Sequence, residues 1–138
     1  MPTPNTQPIF SVTPAVEWSV SMVAFNATTD LTTGTTYSVF TGGTNGSYVQ
    51  KIRFRHQGTN SATVVRVFIN NGGVTTTASN NTLYDEITLA ANTIVQNAAS
   101  INYELPLGFA LPAGYRIYCT FGTSTTGGII ATVIGGDY

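Results

Sequence analysis

The feature that most constrains the fold is a repeated alternation of short apolar runs with turn-forming clusters. The runs are rich in Val, Ile, Thr, Tyr and Phe, and clusters of Gly, Asn, Ser and Thr separate them. Within the runs apolar and polar residues alternate with a period of two, which is typical of strands because successive side chains point to opposite faces. The sequence therefore predicts an all-β fold without helices.

Eight strands at this spacing predict a single β-sandwich, jelly-roll-like in character. Alternation does not specify strand order, so a plain sandwich and a jelly roll both remain open. Residues 16–138 are assigned to the sandwich and residues 1–15 to an arm that precedes it. The predicted strands are 16–25, 37–41, 48–55, 62–70, 83–89, 100–107, 115–121 and 129–134.

The first 15 residues are rich in proline, which fixes φ and removes a backbone donor. They predict an extended, polyproline-like arm rather than a sheet strand. Apolar residues between the prolines favour an arm that either lies along the domain or clasps a neighbouring subunit. The candidate contact residues in the arm are Pro4, Pro8, Ile9 and Phe10.

Composition favours a protein that works inside an assembly. Charged residues make up only 8% of the chain, and 24 threonines supply much of its polarity. A net charge of −1 provides no field that would attract nucleic acid or an anionic membrane. No apolar stretch reaches the length of a membrane span, and the start of the chain lacks a signal-peptide pattern. Cys119 is the only cysteine, so we expect a buried core residue without a disulfide.

The residues that catalysis needs are scarce. His56 is the only histidine and is interpreted as a polar residue at a strand end, since no nucleophile motif accompanies it. Asp85 and Glu86 are neighbours on one strand and therefore face opposite ways, which excludes them as a local glycosidase pair. We expect no enzyme activity, no cofactor and no metal site. Asp85 falls in an apolar row, so we expect a buried or inter-subunit polar partner for it.

One strand carries a basic stripe on a single face. Lys51, Arg53 and Arg55 point one way, while Ile52 and Phe54 point the other. The stripe has three interpretations: a solvated face or protected sheet edge, a contact with an acidic protein surface, and, least favoured, a nucleic-acid contact. Opposite charge is available from Asp85, Glu86 or Glu104, within the chain or from a neighbour.

Two stretches resemble small virion proteins of tailed phages. The first runs from 46–53 through 58–72 (GSYVQKIR and GTNSATVVRVFINNG), and the second covers the end of the chain, from LPAGY at 111–115 to GGDY at 135–138. The resemblance covers roughly residues 35–138 and consists of turn-and-strand patterns. It implies a compact β domain, often trimeric, similar to the capsid decoration or cement proteins that bridge neighbouring capsomers. It provides no contact residue to carry over.

The sequence thus predicts a virion structural protein on the capsid surface, whose partners are the major capsid protein or another virion protein and further copies of itself. The alternative is a tail-associated or head-fibre module that recognises a host surface glycan through exposed Tyr or Trp residues. Trp18 falls on an apolar row and is expected in the core, which counts against the alternative. We further expect that deleting residues 1–14 leaves the domain folded but weakens its assembly.

Overall fold

Eight strands form two antiparallel four-stranded sheets that pack face to face as a β-sandwich. The computed structural model describes residues 11–138. A single 3₁₀ turn, Ala78–Asn80, precedes the fifth strand. The strands are β1 Thr13–Trp18, β2 Tyr37–Thr41, β3 Ser47–His56, β4 Thr63–Asn70, β5 Asn81–Leu89, β6 Tyr103–Leu111, β7 Arg116–Phe121 and β8 Ile129–Asp137.

The strand order makes the sandwich a jelly roll. One sheet has the order β1-β8-β3-β6 and the other β2-β7-β4-β5. Consecutive strands lie in opposite sheets at every connection except β4 to β5, which pair directly. This eight-stranded pattern of two interleaved Greek keys is the jelly-roll arrangement. The predicted all-β sandwich is confirmed, and the strand order that alternation left open is now specified.

The core lies between the two sheets and consists of every second residue along the strands, whose side chains point inward. Phe54, Phe121 and Ile117 are fully buried there, as are Ile52 and several valines. Cys119 is also fully buried, as the sequence predicted, and burial raises the pKa of its thiol. The alternation predicted for β3 is confirmed, because Ile52 and Phe54 point into this core.

The first strand departs from the prediction. β1 begins at Thr13 and ends at Trp18, whereas the sequence predicted a strand over 16–25 and an unpaired arm up to residue 15. Thr13, Pro14 and Ala15 pair with the end of β8, so the arm prediction is wrong for these three residues. Proline is tolerated because β1 is the outermost strand of its sheet, where one side of the backbone needs no partner.

Both open sides of the sandwich are closed by contacts between edge strands. On the side of β1 and β2, the Oε2 of Glu17 accepts a hydrogen bond from the backbone N–H of Thr41 at 2.8 Å. On the side of β5 and β6, the rings of Tyr84 and Phe109 meet edge to face with centroids 5.0 Å apart. These contacts hold the two sheets together at their margins.

Four loops at one end of the sandwich meet around Asn60, which is buried. Its Nδ2 donates to the carbonyl of Gly128 at 3.0 Å, and its Oδ1 accepts from the N–H of Gly127 at 2.8 Å. Its backbone exchanges two hydrogen bonds with Asn92. Asn60 thereby connects the β3–β4, β5–β6 and β7–β8 loops, and the β1–β2 loop joins through a pairing of Met22 with β8.

Candidate interaction surface

The most distinctive surface is the outward side of the β1-β8-β3-β6 sheet, called here the outer face. Residues directly opposite each other in antiparallel strands share a face, so the register defines rows of neighbours across the sheet. Two central rows run from β1 to β6. They are Val16, Ile134, Lys51 and Pro106, and Trp18, Thr132, Arg53 and Glu104.

The basic stripe lies on the outer face, and one acid on β6 meets it. Lys51 Nζ is 3.2 Å from Glu104 Oε2, and Arg53 Nε donates to Glu104 Oε1 at 3.0 Å. The hydrogen bonds from Arg53 and Lys51 hold the pKa of the Glu104 carboxyl below its usual value. Arg55 instead donates to the backbone carbonyl of Ser100 at 3.3 Å. The three cations therefore share one face, as predicted. Their three positive charges are only partly balanced by the single negative charge of Glu104.

Trp18 also lies on the outer face, contrary to the prediction that it belongs to the core. Its side chain is 67% exposed, and Val16 on the same side of β1 is exposed as well. The inward positions of this strand belong to Ala15 and Glu17. The alternation was recognised correctly but assigned to the wrong side, because a period of two does not say which face is buried.

A shallow groove of about 340 Å³ lies beside Trp18, at the edge where β1 approaches β2. Val16, Glu17 and Trp18 of β1 and Ser38 and Val39 of β2 line it, although Trp18 points to the outer face, Glu17 points inward and Val39 is buried. Glu17 is fixed by its hydrogen bond to Thr41, and Trp18 is fixed by the pairing of its backbone position with Thr132 of β8. The groove is therefore built on the edge strands of the two sheets rather than on loops.

Asp85 does not have the buried partner that the sequence predicted. It is exposed on the edge strand β5, and its Oδ1 accepts a hydrogen bond from the N–H of Glu86. A register shift between Val67 and Phe68 opposite it distorts the strand pairing at this point. Position on an edge strand keeps the carboxylate hydrated, so burial in the apolar row never arises.

The remaining acids have structural partners. Glu86 pairs with Arg66 at 2.8 Å on the outward side of the second sheet, as expected for a neighbour of Asp85 that faces the other way. Asp137 accepts a hydrogen bond from the Ser47 hydroxyl. Asp30 accepts hydrogen bonds from Thr32 and Thr28, which lower the pKa of its carboxyl. Within residues 11–138 each of the six acids thus accepts at least one hydrogen bond, and Glu86 and Glu104 do so within ion pairs.

His56 lies at the end of β3, as predicted, and its side chain is buried. Its Nδ1 is 3.0 Å from the Nδ2 of Asn60, and its ring meets Tyr103 edge-on. Since an amide nitrogen can only donate, the contact with Asn60 requires Nδ1 to accept, whereas Nε2 is buried with no hydrogen-bond partner within residues 11–138. Burial, assisted by the charge of Arg55, lowers the pKa of His56.

Residues 11–138 contain no group of three or more His, Cys, Asp or Glu side chains placed to hold a metal ion. Among them there is also no helix with the length and apolar character needed to cross a membrane. The candidate contacts Pro4, Pro8, Ile9 and Phe10 lie outside the described residues.

Fold and surface together define a jelly-roll β-sandwich with a mixed aromatic and basic outer face. No family model matches the chain, and no curated protein matches it. A solved structure of infectious bursal disease virus, Gt strain, aligns with 12% identity and a TM-score of 0.34. The alignment covers 98% of this chain but only 36% of the viral one, so this chain spans about a third of its length. An identity and a TM-score this low do not establish a relationship between the two proteins.

Sequence reasoning found the cations of the outer face but missed Trp18 and its groove. One signal was present in the sequence. Pro14 cannot donate a ladder hydrogen bond, and it lies in the strand that carries Trp18. A proline inside a strand marks an edge, and an edge strand exposes more of its surface than a central one.

Proposed function

We propose that this protein is a virion structural protein of a tailed phage, and specifically a decoration protein that binds the outer surface of the capsid. The observation that carries the proposal is the outer face. It is the surface of a sheet, it exposes Trp18 at 67%, and it holds Lys51, Arg53 and Arg55 against the single acid Glu104. Exposed aromatic and arginine side chains are enriched where proteins bind one another.

The fold is compatible with this role but does not determine it. Jelly rolls occur in viral capsid domains and also in lectins and other proteins, so the surface of this domain, not its fold, has to indicate the function. The excess positive charge of the outer face, on a chain whose net charge is −1, favours an acidic protein surface as its partner. Many copies that each add a modest contact stabilise a lattice together through multivalency. A homotrimer that presents three outer faces to the capsid is part of the proposal.

The direct test is co-sedimentation of the purified protein with undecorated heads of the encoding phage and, in parallel, with host cells. The proposal expects saturable binding to heads at a stoichiometry set by the lattice symmetry. Binding to cells with no binding to heads would refute the decoration role. Light scattering of the free protein tests the trimer separately.

Charge variants locate the contact. We expect Arg55→Gln to weaken binding to heads and reduce its dependence on salt, because it removes an outer-face cation whose only hydrogen bond within residues 11–138 is to a backbone carbonyl. Arg116→Gln is the matched control, since Arg116 is a half-buried arginine on the outward side of the other sheet. Equal effects of the two variants would show that net charge, rather than the outer face, drives binding.

The contribution of the arm is tested with a truncation that leaves β1 intact. Because Thr13 and Pro14 pair with β8, the deletion of residues 1–14 would damage the sheet as well as the arm. Deletion of residues 1–10 separates the two effects. We propose that the shortened chain stays folded and binds heads less tightly; unchanged binding would exclude Pro4, Pro8, Ile9 and Phe10 as contacts.

A second candidate function is recognition of a host surface glycan by a tail-associated or head-fibre module. The observation that favours it is the exposure of Trp18, since an exposed aromatic platform is what such a module requires. The expectation that Trp18 is buried was the main argument against this function, and the structure removes that argument. In the sedimentation experiment, this function predicts binding to cells that soluble glycan competes away.

A further inference from the structure

We propose that one copy of this protein binds the next through two apolar patches at the loop end of the sandwich, one on each flank. The β1–β2 patch consists of Val20, Val23 and Phe25, and the β5–β6 patch consists of Ile94, Val95 and Ile101. Each patch is occupied by the other patch of a second copy. The inference rests on the homotrimer of the proposed function and names the surfaces that form it.

Both patches expose large apolar side chains on uncharged loops. Phe25 is 55% exposed and Ile101 is 58% exposed, and the other four members are exposed as well. The segments that carry them, 19–29 and 90–102, contain no Asp, Glu, Lys or Arg. Clusters of exposed apolar residues mark interaction sites, and depletion of charge distinguishes the centre of a protein interface. Both segments therefore have the composition of an interface.

The β1–β2 patch is fixed by buried residues of its own loop. Met22 pairs with the start of β8 through two backbone hydrogen bonds, and the N–H of Asn26 donates to the carbonyl of the last residue of β7 at 2.9 Å. The N–H of Val23 donates to the Tyr37 hydroxyl at 3.1 Å. Val23 and Phe25 lie between Met22 and Asn26, so their backbone is ordered before any partner binds. A preformed surface loses little entropy on binding.

The β5–β6 patch is fixed in a similar way. Asn92 exchanges two backbone hydrogen bonds, each 2.9 Å long, with Asn60 just before the patch begins. The carbonyl of Ser100, directly before Ile101, accepts a hydrogen bond from Arg55 at 3.3 Å. Both patches are therefore held by the body of the sandwich.

The two patches lie on opposite flanks of the same end, and this placement indicates a second copy as the partner. β1 and β2 are the outermost strands on one flank, and β5 and β6 are the outermost strands on the other. Three strand spacings, about 14 Å, separate the flanks, so the patches do not cover each other within one chain. A contact between unlike surfaces of identical subunits is heterologous and closes into a ring when the rotation between neighbours allows it. A second copy on each flank covers both patches at once.

This contact leaves the outer face free for the capsid. The central rows of the outer face consist of residues in β1, β8, β3 and β6, whereas both patches consist of loop residues. A ring joined at the flanks therefore keeps one uncovered outer face on each copy.

The first test measures the mass of the full-length protein by size-exclusion chromatography with light scattering. Phe25→Asp and Val95→Asp each place an unpaired charge in one patch, and we expect each to weaken assembly at least ~100-fold, so that the trimer becomes a monomer. Val74→Asp is the matched control, because Val74 is an exposed valine in the β4–β5 loop at the opposite end of the sandwich. We expect Val74→Asp to remain a trimer.

Circular dichroism establishes that each variant is folded, and Val20→Asp, at the most exposed member of the β1–β2 patch, replaces Phe25→Asp if the latter unfolds. The proposal is overturned if the unchanged protein is a monomer at ~100 µM. A patch variant that stays a trimer, or a control that dissociates equally, overturns it too.

A mixture of the two variants tests whether unlike patches bind each other. Phe25→Asp keeps an intact β5–β6 patch, and Val95→Asp keeps an intact β1–β2 patch. We expect the mixture to form a heterodimer through these two patches and no larger species, because the remaining two patches each carry a charge. A mixture that stays monomeric at ~100 µM would overturn the pairing of the patches. If Val95→Asp alone still forms a dimer, the β1–β2 patch binds itself and the heterologous contact is wrong.

Binding of the same variants to phage heads separates this inference from the proposed function. A trimer that dissociates in both patch variants, from a protein that does not bind heads, would refute the decoration role and leave the interface intact. A trimer that survives both variants, from a protein that binds heads, would refute the interface and leave the decoration role standing. If the unchanged protein is a monomer and both patch variants lose binding to heads, the patches contact the capsid and the proposal is wrong.

Discussion

Replacing Asn60 with alanine should destabilise the fold by about 3 kcal/mol, because the buried side-chain amide holds the loop end of the sandwich together. The change removes the hydrogen bond to Gly128 O at 3.0 Å and the one from Gly127 N–H at 2.8 Å. It also leaves His56 Nδ1 without its donor. Each lost bond costs about 0.5–1.5 kcal/mol net, and a buried group left without a partner costs about 1–3 kcal/mol. Water that reaches half-buried Gly127 offsets part of this sum.

The assay is urea unfolding followed by far-ultraviolet circular dichroism. For a chain of this size, 3 kcal/mol corresponds to a fall in the melting temperature of about 10 °C. Asn97→Ala is the matched control, since Asn97 is an exposed asparagine in the β5–β6 loop, and we expect a change of less than about 0.5 kcal/mol there. An Asn60→Ala variant as stable as the control would refute the view that this amide organises the loop end.

Three other outcomes are expected. The pKa of His56 is lower in the folded state, so as the pH falls the unfolded state binds a proton first; the His56 contribution to stability is complete above about pH 6.5 and is lost as the pH falls towards the folded pKa. Between about pH 7.5 and 5.5, the urea midpoint of His56→Gln should therefore fall less than that of the unchanged protein. Equal falls in the two midpoints would contradict this. Phe54→Ala should cost about 3–5 kcal/mol in the same assay, because Phe54 is fully buried in the core, and a cost below about 1 kcal/mol would show that its site is not packed. Glu104→Gln should change the free energy of unfolding by less than about 1 kcal/mol, because its ion pairs with Lys51 and Arg53 are exposed; a larger loss would mean that these pairs stabilise the sheet.

Most of the strand pattern was predictable from the sequence, because alternation and turn residues act locally. The turn at 111–114 is an example: Gly114 has φ +74°, and Tyr115 N–H donates to Pro112 O at 3.1 Å, as a tight turn requires. The sequence predictions were wrong where an alternating pattern fits a strand with either of its two faces buried. Trp18 and Asp85 both alternate correctly, but both lie on edge strands, where a residue in an apolar row can still reach water.

The features of the outer face and of the groove likewise divide into those that the sequence predicts and those that depend on the tertiary structure. That Lys51, Arg53 and Arg55 share a face follows from their spacing alone, since strand side chains repeat every two residues. That Glu104 pairs with two of them does not, because Glu104 is 51 residues further along the chain than Arg53 and only strand pairing brings β6 beside β3. The groove beside Trp18 combines residues of β1 and β2 from different sheets, so no local pattern contains it.

The sequence by itself determined the all-β class, the number of strands, the positions of most turns and the common face of the three cations, because each of these depends on neighbours in the chain. Only the tertiary structure decided the jelly-roll order, the side of β1 that is exposed, and the meeting of Glu104, Asn60 and the groove residues with their distant partners. The physical reason is that strand pairing and sheet packing are interactions between residues far apart in sequence, and a period of two is consistent with many such pairings.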